Sequence, residues 1–311
     1  MSDYNIAEEP NLIKAVEDSK HFCVLPWIHM HAWPDDRIMP CCIADSAEPV
    51  AEYKAGDTII DVMNSDEYKE MRKKMLADEP DARCQRCYDL EKVGTWSLRI
   101  SQNTQQFTNK KPENTRENIT MLLDTQEDGG IEEFKMKYMD IRFSNLCNLK
   151  CRSCGPQFSS SWFEDHKQLY GKLEHEKILK VRDDMLDFMD ELEPLLNSVE
   201  RVYWAGGEPL ITDEHYRILD KWIEMGKRDV VMDYTTNFTQ MRYKKKTAFE
   251  YWNAFEDVRV AASLDANHAR GEYLRKNMVW SEVVQNRRTM IEQCPHVYFE
   301  ITPTVSAYNV L

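Results

Sequence analysis

The chain has 311 residues, 42% of them hydrophobic and 30% charged, with a formal net charge of −14. That length holds one large domain or two ordinary ones with a real core. The acidic balance repels phosphate backbones and argues against a dedicated nucleic-acid binder, and no apolar run approaches the length of a membrane span. The opening MSDYNIAEEP lacks the basic-then-apolar pattern of a signal peptide, so the expected compartment is the cytoplasm. Nine cysteines there point to metal rather than to a disulfide framework.

In chain order, residues 1–101 read as a small cysteine-rich domain. Two stretches carry it, FCVLPWIHMHAWPDDRIMPCCIAD and DARCQRCYDLEKVGTWSLR. Cys84-x2-Cys87 is a chelating pair, and Cys23 with Cys41 or Cys42 completes a four-thiolate set that suits zinc or an iron–sulfur cluster. His29 and His31 read as flanking polar residues, and Trp27, Trp33 and Trp96 as packing anchors. Residues 102–136 are polar, repeat Asn, Thr and Gln, contain Gly129-Gly130, and read as a linker with one short helix.

Beyond residue 136, strand-like and helix-like segments alternate. Strands are expected over 137–143, 199–205, 229–236, 257–265 and 296–305, with helical patterns near 159–172, 178–196, 213–226, 244–255 and 279–293. Asp213 and Glu214 supply an acidic first helical turn. Such alternation implies parallel strands with crossover helices, hence a barrel or a doubly wound sheet whose ligand site lies at the C-terminal strand ends. Two special segments fall there. Cys147-x3-Cys151-x2-Cys154 follows the first strand, and Gly206-Gly207-Glu208-Pro209 follows the second. Three thiolates so close can hold three corners of a four-iron cluster and leave the fourth iron open to another ligand. The basic run Arg242 to Lys246 reads as a solvated helix start, and Cys294 as a small buried residue before a strand.

These two segments together resemble the radical S-adenosylmethionine (radical SAM) superfamily, whose CxxxCxxC loop after strand one matches Cys147, Cys151 and Cys154 and whose GGEP loop matches Gly206 to Pro209. The resemblance implies a partial (β/α)6 barrel over 137–311, with about five of six strand–helix units present. It also implies a [4Fe–4S] cluster on the three thiolates, with SAM on the open iron. Reductive cleavage to a 5′-deoxyadenosyl radical and hydrogen abstraction from a substrate would follow. By the same resemblance Glu208 accepts from the SAM amino group, and the glycine pair lets the backbone approach the cofactor. Asn237, Ser263, Asp265 and Arg275 are candidates for the SAM carboxylate or ribose, and Thr304, Ser306 and Asn309 border the adenine. The family's aromatic residue before the third cysteine is replaced here by Ser153.

The early cysteines resemble the auxiliary-cluster modules called SPASM and twitch, with Cys41 favoured over Cys42; those modules usually follow the barrel, whereas these cysteines precede it. The company such modules keep makes a peptide or protein side chain the expected substrate class, with an electron donor as a further partner. The expected sixth strand is missing from TPTVSAYNVL, which predicts an open edge for a second chain to cover. The rival expectation is a non-enzymatic binding module, stabilised by zinc or an iron–sulfur cluster, on a truncated barrel.

Overall fold

The computed structural model describes residues 9–108 and 112–310. The chain divides into two compact units, one running to His31 and resuming over Arg37–Met136, the other comprising Ala32–Asp36 and Lys137–Leu311. Among the described residues no helix is long and apolar enough to cross a membrane.

The first unit is mainly helical, with a short antiparallel pair of Arg37–Met39 and Ala51–Glu52. Its helices start on side-chain caps. Thr58 and Asp61 form a reciprocal capping box ahead of Ile59–Met63, and Ser65 accepts from the Tyr68 amide ahead of Asp66–Leu76. Helix Asp66–Leu76 turns Tyr68, Met71, Arg72 and Met75 inward.

Arg72 is fully buried and is held largely by carbonyls rather than by a countercharge. Its Nε and Nη2 donate to Pro26 O (3.1 and 2.9 Å), Nη2 also to Met63 O (2.6 Å), and Nη1 to Gly129 O (3.2 Å). Burial lowers its pKa to about 10, still well above neutrality, so the charge is kept and three separate segments converge on it.

Residues 102–136 differ from the expected linker. Helix Pro112–Leu123 lies here, Gln106, Phe107, Asn118 and Ile119 are buried, and Asn118 Nδ2 donates to Gln106 O (2.9 Å). Gly129 at φ +88° sits where an added Cβ would stand 2.1 Å from Lys69 O. The polar residues that imitate a linker serve instead to pair buried backbone groups. Of the three tryptophans, Trp27 is fully buried and donates to Thr125 Oγ1 (2.9 Å). Trp96 is exposed, and Trp33 belongs to the second unit, packed edge-on against Phe158. His29 and His31 are buried with stacked rings.

The second unit is mixed α/β. Among its described residues, five strands build its parallel ladder: β1 (Tyr138–Ile141), β2 (Arg201–Trp204), β3 (Val231–Thr236), β4 (Val258–Ala262) and β5 (Tyr298–Ile301). They pair in chain order and are all parallel. Helices Met185–Leu192, Asp213–Glu224, Ala248–Trp252 and Trp280–Gln293 fill the successive crossovers. Strand burial alternates on β2 and β3, so Val202, Trp204, Met232, Tyr234 and Thr236 share the covered face. Helix Asp213–Glu224 meets that face with His215, Ile218, Leu219 and Trp222, the spacing of a single helical stripe. Trp204, Trp222, Tyr234 and Trp252 are fully buried there; each is worth about 1.5–3 kcal/mol of transfer energy or more.

The basic run also departs from expectation. Arg242–Tyr243 and Lys246–Thr247 form a small hairpin, with Lys244 at φ +53° in its turn. Lys244 pairs with Asp213 (2.5 Å) and Lys246 with Asp220 on the neighbouring helix. Cys294 is buried and donates to Phe249 O, the small core residue anticipated.

Replacing Arg72 with Met leaves the carbonyls of Pro26, Met63 and Gly129 unpaired in the interior, an expected loss of about 3 kcal/mol or more in urea unfolding of the first unit. A second prediction concerns pH. His215 is fully buried with Nε2 2.9 Å from Tyr234 Oη, and burial lowers its pKa to about 3. An unfolded histidine titrates near 6.5, so the unfolded chain takes up a proton between those values that the native chain refuses. The stability this residue adds is present above about pH 6.5 and is lost as pH falls toward 3. The gap in urea midpoint between wild type and His215→Gln should therefore narrow over that window.

Candidate functional site

The cysteine loop begins where β1 ends. Leu149 and Cys151 are buried, while Cys147 and Cys154 are half-buried. Neutral donors and acceptors fix the loop from all sides. Ser160 Oγ accepts from the Cys147 amide (3.2 Å), Ser161 Oγ donates to Cys147 O (2.7 Å), Ser159 Oγ donates to Leu149 O (2.7 Å), and Trp162 Nε1 donates to Cys151 O (3.0 Å). Asn145, with no exposed surface, donates to Pro156 O and accepts from the Leu179 amide. Asn145 and the segment Ser159 to Trp162 escaped the sequence reading. The only local signal was a run of hydroxyl residues close behind the third cysteine, a pattern that commonly bonds nearby backbone.

The Gly206–Pro209 loop lies directly against this one. Gly207 N donates to Ser144 O (3.1 Å) and Glu208 N to Leu146 O (2.8 Å). A Cβ on Gly207 would stand 2.2 Å from Leu146 O, and one on Gly206, at φ +130°, 3.2 Å from Ser144 O. The backbone-on-backbone packing of the two loops by itself requires glycine at Gly207 and leaves little room at Gly206.

Glu208 is engaged within the protein. It is buried, its Oε1 accepts from Thr236 Oγ1 (2.7 Å) and Leu210 N (3.2 Å), and its Oε2 accepts from Asn237 N (2.8 Å). Burial pushes its pKa up to about 7 against the lowering effect of those donors. In this arrangement its oxygens tie the β2 loop to the end of β3 rather than projecting into open space. Pro209 is buried and opens the short turn that follows.

The remaining candidates fall into two sets. Asn237 Nδ2 donates to Asn148 Oδ1 (2.8 Å) and lies 3.9 Å from Cys147 Sγ, joining the end of β3 to the cysteine loop. Asp265, Arg275, Thr304 and Asn309 form the second set. The Thr304 amide donates to Asp265 Oδ1 (2.8 Å), Asn309 Nδ2 donates to Asp265 O (2.9 Å), and Ser306 N donates to Asn309 Oδ1 (2.7 Å). Ser263 joins β4 to β3 through its amide on Thr236 O (2.8 Å).

Burial raises all three thiols of the loop. Cys147 is pushed up to about 11, the neighbouring Glu208 adding to the effect, and Cys151 and Cys154 shift the same way. Buried thiols of this kind stay protonated at neutral pH unless a cation draws the protons off.

In the first unit the early cysteines also converge. Burial raises Cys23, Cys41 and Cys84, and the fields of Cys84, Cys41 and Cys87 reach Cys23. Cys84 and Cys87 both act on Cys41, whereas Cys42 is exposed. Arg99 Nη1 and Asn103 Nδ2 both donate to Phe22 O (2.9 Å each), and Val24 N donates to Asn103 Oδ1 (3.0 Å), which clamps the backbone on either side of Cys23. Among the described residues no three cysteine sulfurs lie within 4.8 Å of one another.

No family model matches the chain. A curated protein of Pyrococcus furiosus, the tungsten-containing aldehyde ferredoxin oxidoreductase cofactor-modifying protein, is 30% identical over 105 residues, which is 33% of this chain. The chain spans about a quarter of that protein's length, the match covering 24% of it. Among solved structures, anSMEcpe with bound AdoMet and the Cp18Cys peptide matches with a TM-score of 0.32, and a histidine-tagged anSMEcpe with bound AdoMet with one of 0.34. Each is 21% identical and covers 51% of this chain and 40% of the solved chain.

Gly207→Ala drives a methyl group into the Leu146 carbonyl, with an expected cost of about 1–3 kcal/mol, or several degrees in thermal unfolding of this unit. Gly155→Ala is the control, since its Cβ would meet only the flexible Gln157 side chain at 3.4 Å, and it should leave the transition within about 0.5 kcal/mol of wild type.

Proposed function

We propose that this chain is a radical SAM iron–sulfur enzyme that cleaves SAM reductively and abstracts hydrogen from a peptide or protein side chain. The observation that carries the reading is the triplet Cys147, Cys151 and Cys154, held at the C-terminal end of β1 and braced by the GGEP loop of β2. This is the rim where parallel α/β folds place their ligands.

The residues present fit the group. Three thiols offer soft donors for iron, one buried and two half-buried, and neutral hydrogen bonds already fix the loop backbone. Cys147, Cys151 and Cys154 would hold the cluster, whose open iron would supply the electron for breaking the sulfonium bond of SAM. Asn237 and Asn148 hold one side of the loop, and Asp265, Thr304 and Asn309 form a polar ledge on the same rim. Glu208 contributes by locking β2 to β3, which keeps the rim rigid before any ligand arrives.

The first unit supports a second cluster on Cys23, Cys41, Cys84 and Cys87. Zinc would take the same four thiolates, and the iron–sulfur reading rests on the company of the Cys147, Cys151 and Cys154 triplet. Four protein ligands saturate an iron–sulfur cube, which suits electron transfer. The substrate class rests on the association of auxiliary clusters with peptide-modifying enzymes, which is an analogy of architecture. Residues 1–101 form the auxiliary domain in this reading and residues 137–311 the SAM-binding core, with the protein acting in the cytoplasm.

Anaerobic reconstitution should give a brown protein with about eight irons per chain that releases 5′-deoxyadenosine from SAM under a strong reductant. The variant Cys147→Ala/Cys151→Ala/Cys154→Ala should lose that release and about half the iron. A colourless chain holding stoichiometric zinc would defeat the proposal and favour a zinc-stabilised binding module.

A further inference from the structure

A segment far along the chain reaches the cysteine loop. Lys150–Cys151 pairs antiparallel with Arg275–Lys276, with Arg275 directly opposite Cys151. Arg152 extends the junction, donating its amide to Leu274 O (2.8 Å) and Nε to Tyr273 O (3.0 Å) while its guanidinium stacks 3.8 Å from the Tyr273 ring centre. Across this two-residue ladder Arg275 Nη1 donates to Cys151 Sγ at 3.5 Å.

Arg275 is buried and is held from behind by an equally buried carboxylate. Its Nη2 donates to Asp265 Oδ1 (3.0 Å), and its Nε lies 2.9 Å from Asp265 Oδ2. Asp265 is itself fixed by the Thr304 amide. A guanidinium opposed by a carboxylate in this fork has little rotational freedom, so the donor stays on the sulfur.

We infer that Arg275 and Asp265 form a charge pair that sets the reduction potential of the cluster held by Cys147, Cys151 and Cys154, with Arg275 as a positioning residue on Cys151. The inference rests on the cluster reading above. It gives Arg275 a role beside the expected one at the SAM carboxylate or ribose, since its Nη1 faces the Cys151 sulfur. A positive charge and a hydrogen bond at a ligand thiolate favour the reduced, more negative cluster, and a carboxylate next to them opposes it. The two members therefore act with opposite sign.

The test is a redox titration of the reconstituted full chain, followed by EPR on the reduced signal that changes when SAM is added. Arg275→Gln should shift the midpoint to more negative potential, Asp265→Asn to more positive potential, and Arg275→Lys should stay near wild type. Iron content and thermal unfolding are read on the same samples. If both variants take up iron and the two shifts share a sign, or neither moves, the inference is overturned while the cluster reading stands. If Arg275→Gln loses the cluster, Asp265→Asn still decides by the sign of its shift, a negative or absent shift overturning the inference. A wild-type chain that takes up no iron on the three cysteines overturns the redox role and the cluster reading together.

Discussion

The close approach of two loop backbones governs the site. Gly207 leaves no room for a side chain because the carbonyls of the cysteine loop occupy that space, and its amide with that of Glu208 bonds Ser144 O and Leu146 O. The contact does two things at once. It brings the ends of β1 and β2 to a fixed separation, and it consumes the polar groups that a bare loop would otherwise leave to solvent. Glu208 then passes the constraint to β3 through Thr236 and Asn237, so three successive strand ends become one rigid rim. The thiols inherit their positions from that rim.

Charge on the rim is arranged on top of this frame. Burial alone would keep the three thiols protonated, and Glu208 beside Cys147 reinforces that tendency. Arg275 is the countercharge in direct reach of Cys151, yet Asp265 partly neutralises it. The balance leaves a site that resists deprotonation until a metal arrives and is then only moderately favourable to further negative charge. Polar residues distant in sequence, Thr304 and Asn309, hold Asp265, so the end of the described chain contributes to the electrostatics of its middle.

Much of this was legible in the sequence, and the misses share a cause. The five strands and their parallel order followed from alternation of apolar runs, because burial of one sheet face leaves a period that local text records. The cysteine triplet and the glycine pair were visible as motifs, but the reason for the glycines was not, since it depends on which backbone stands opposite. The partners that Glu208 and Arg275 find inside the protein were hidden for the same reason. A side chain's partner across a ladder, such as Cys151 opposite Arg275, is set by tertiary pairing and leaves no local pattern. Residues 102–136 misled in the opposite direction: polar composition mimics a linker when Asn and Gln are spent on buried backbone groups.

The two cysteine groups are built on different principles, and that difference bears on how each would load. Cys147, Cys151 and Cys154 sit within one short loop whose backbone is already fixed by Ser160, Ser161, Trp162 and Asn145. Closing a metal site there orders little further chain, so metal affinity would scarcely add to the stability of the second unit. Cys23, Cys41, Cys84 and Cys87 come from segments spread over the first unit, and joining them closes long loops. In the two-cluster reading proposed above, metal binding there would be coupled to folding, and part of its free energy would appear as stability of the unit itself. The Arg99 and Asn103 contacts hold the Cys23 segment around Phe22 and Val24, and Arg99 also bonds Glu91 on the helix that carries Cys87. Loss of metal should therefore loosen the first unit while leaving the second largely intact.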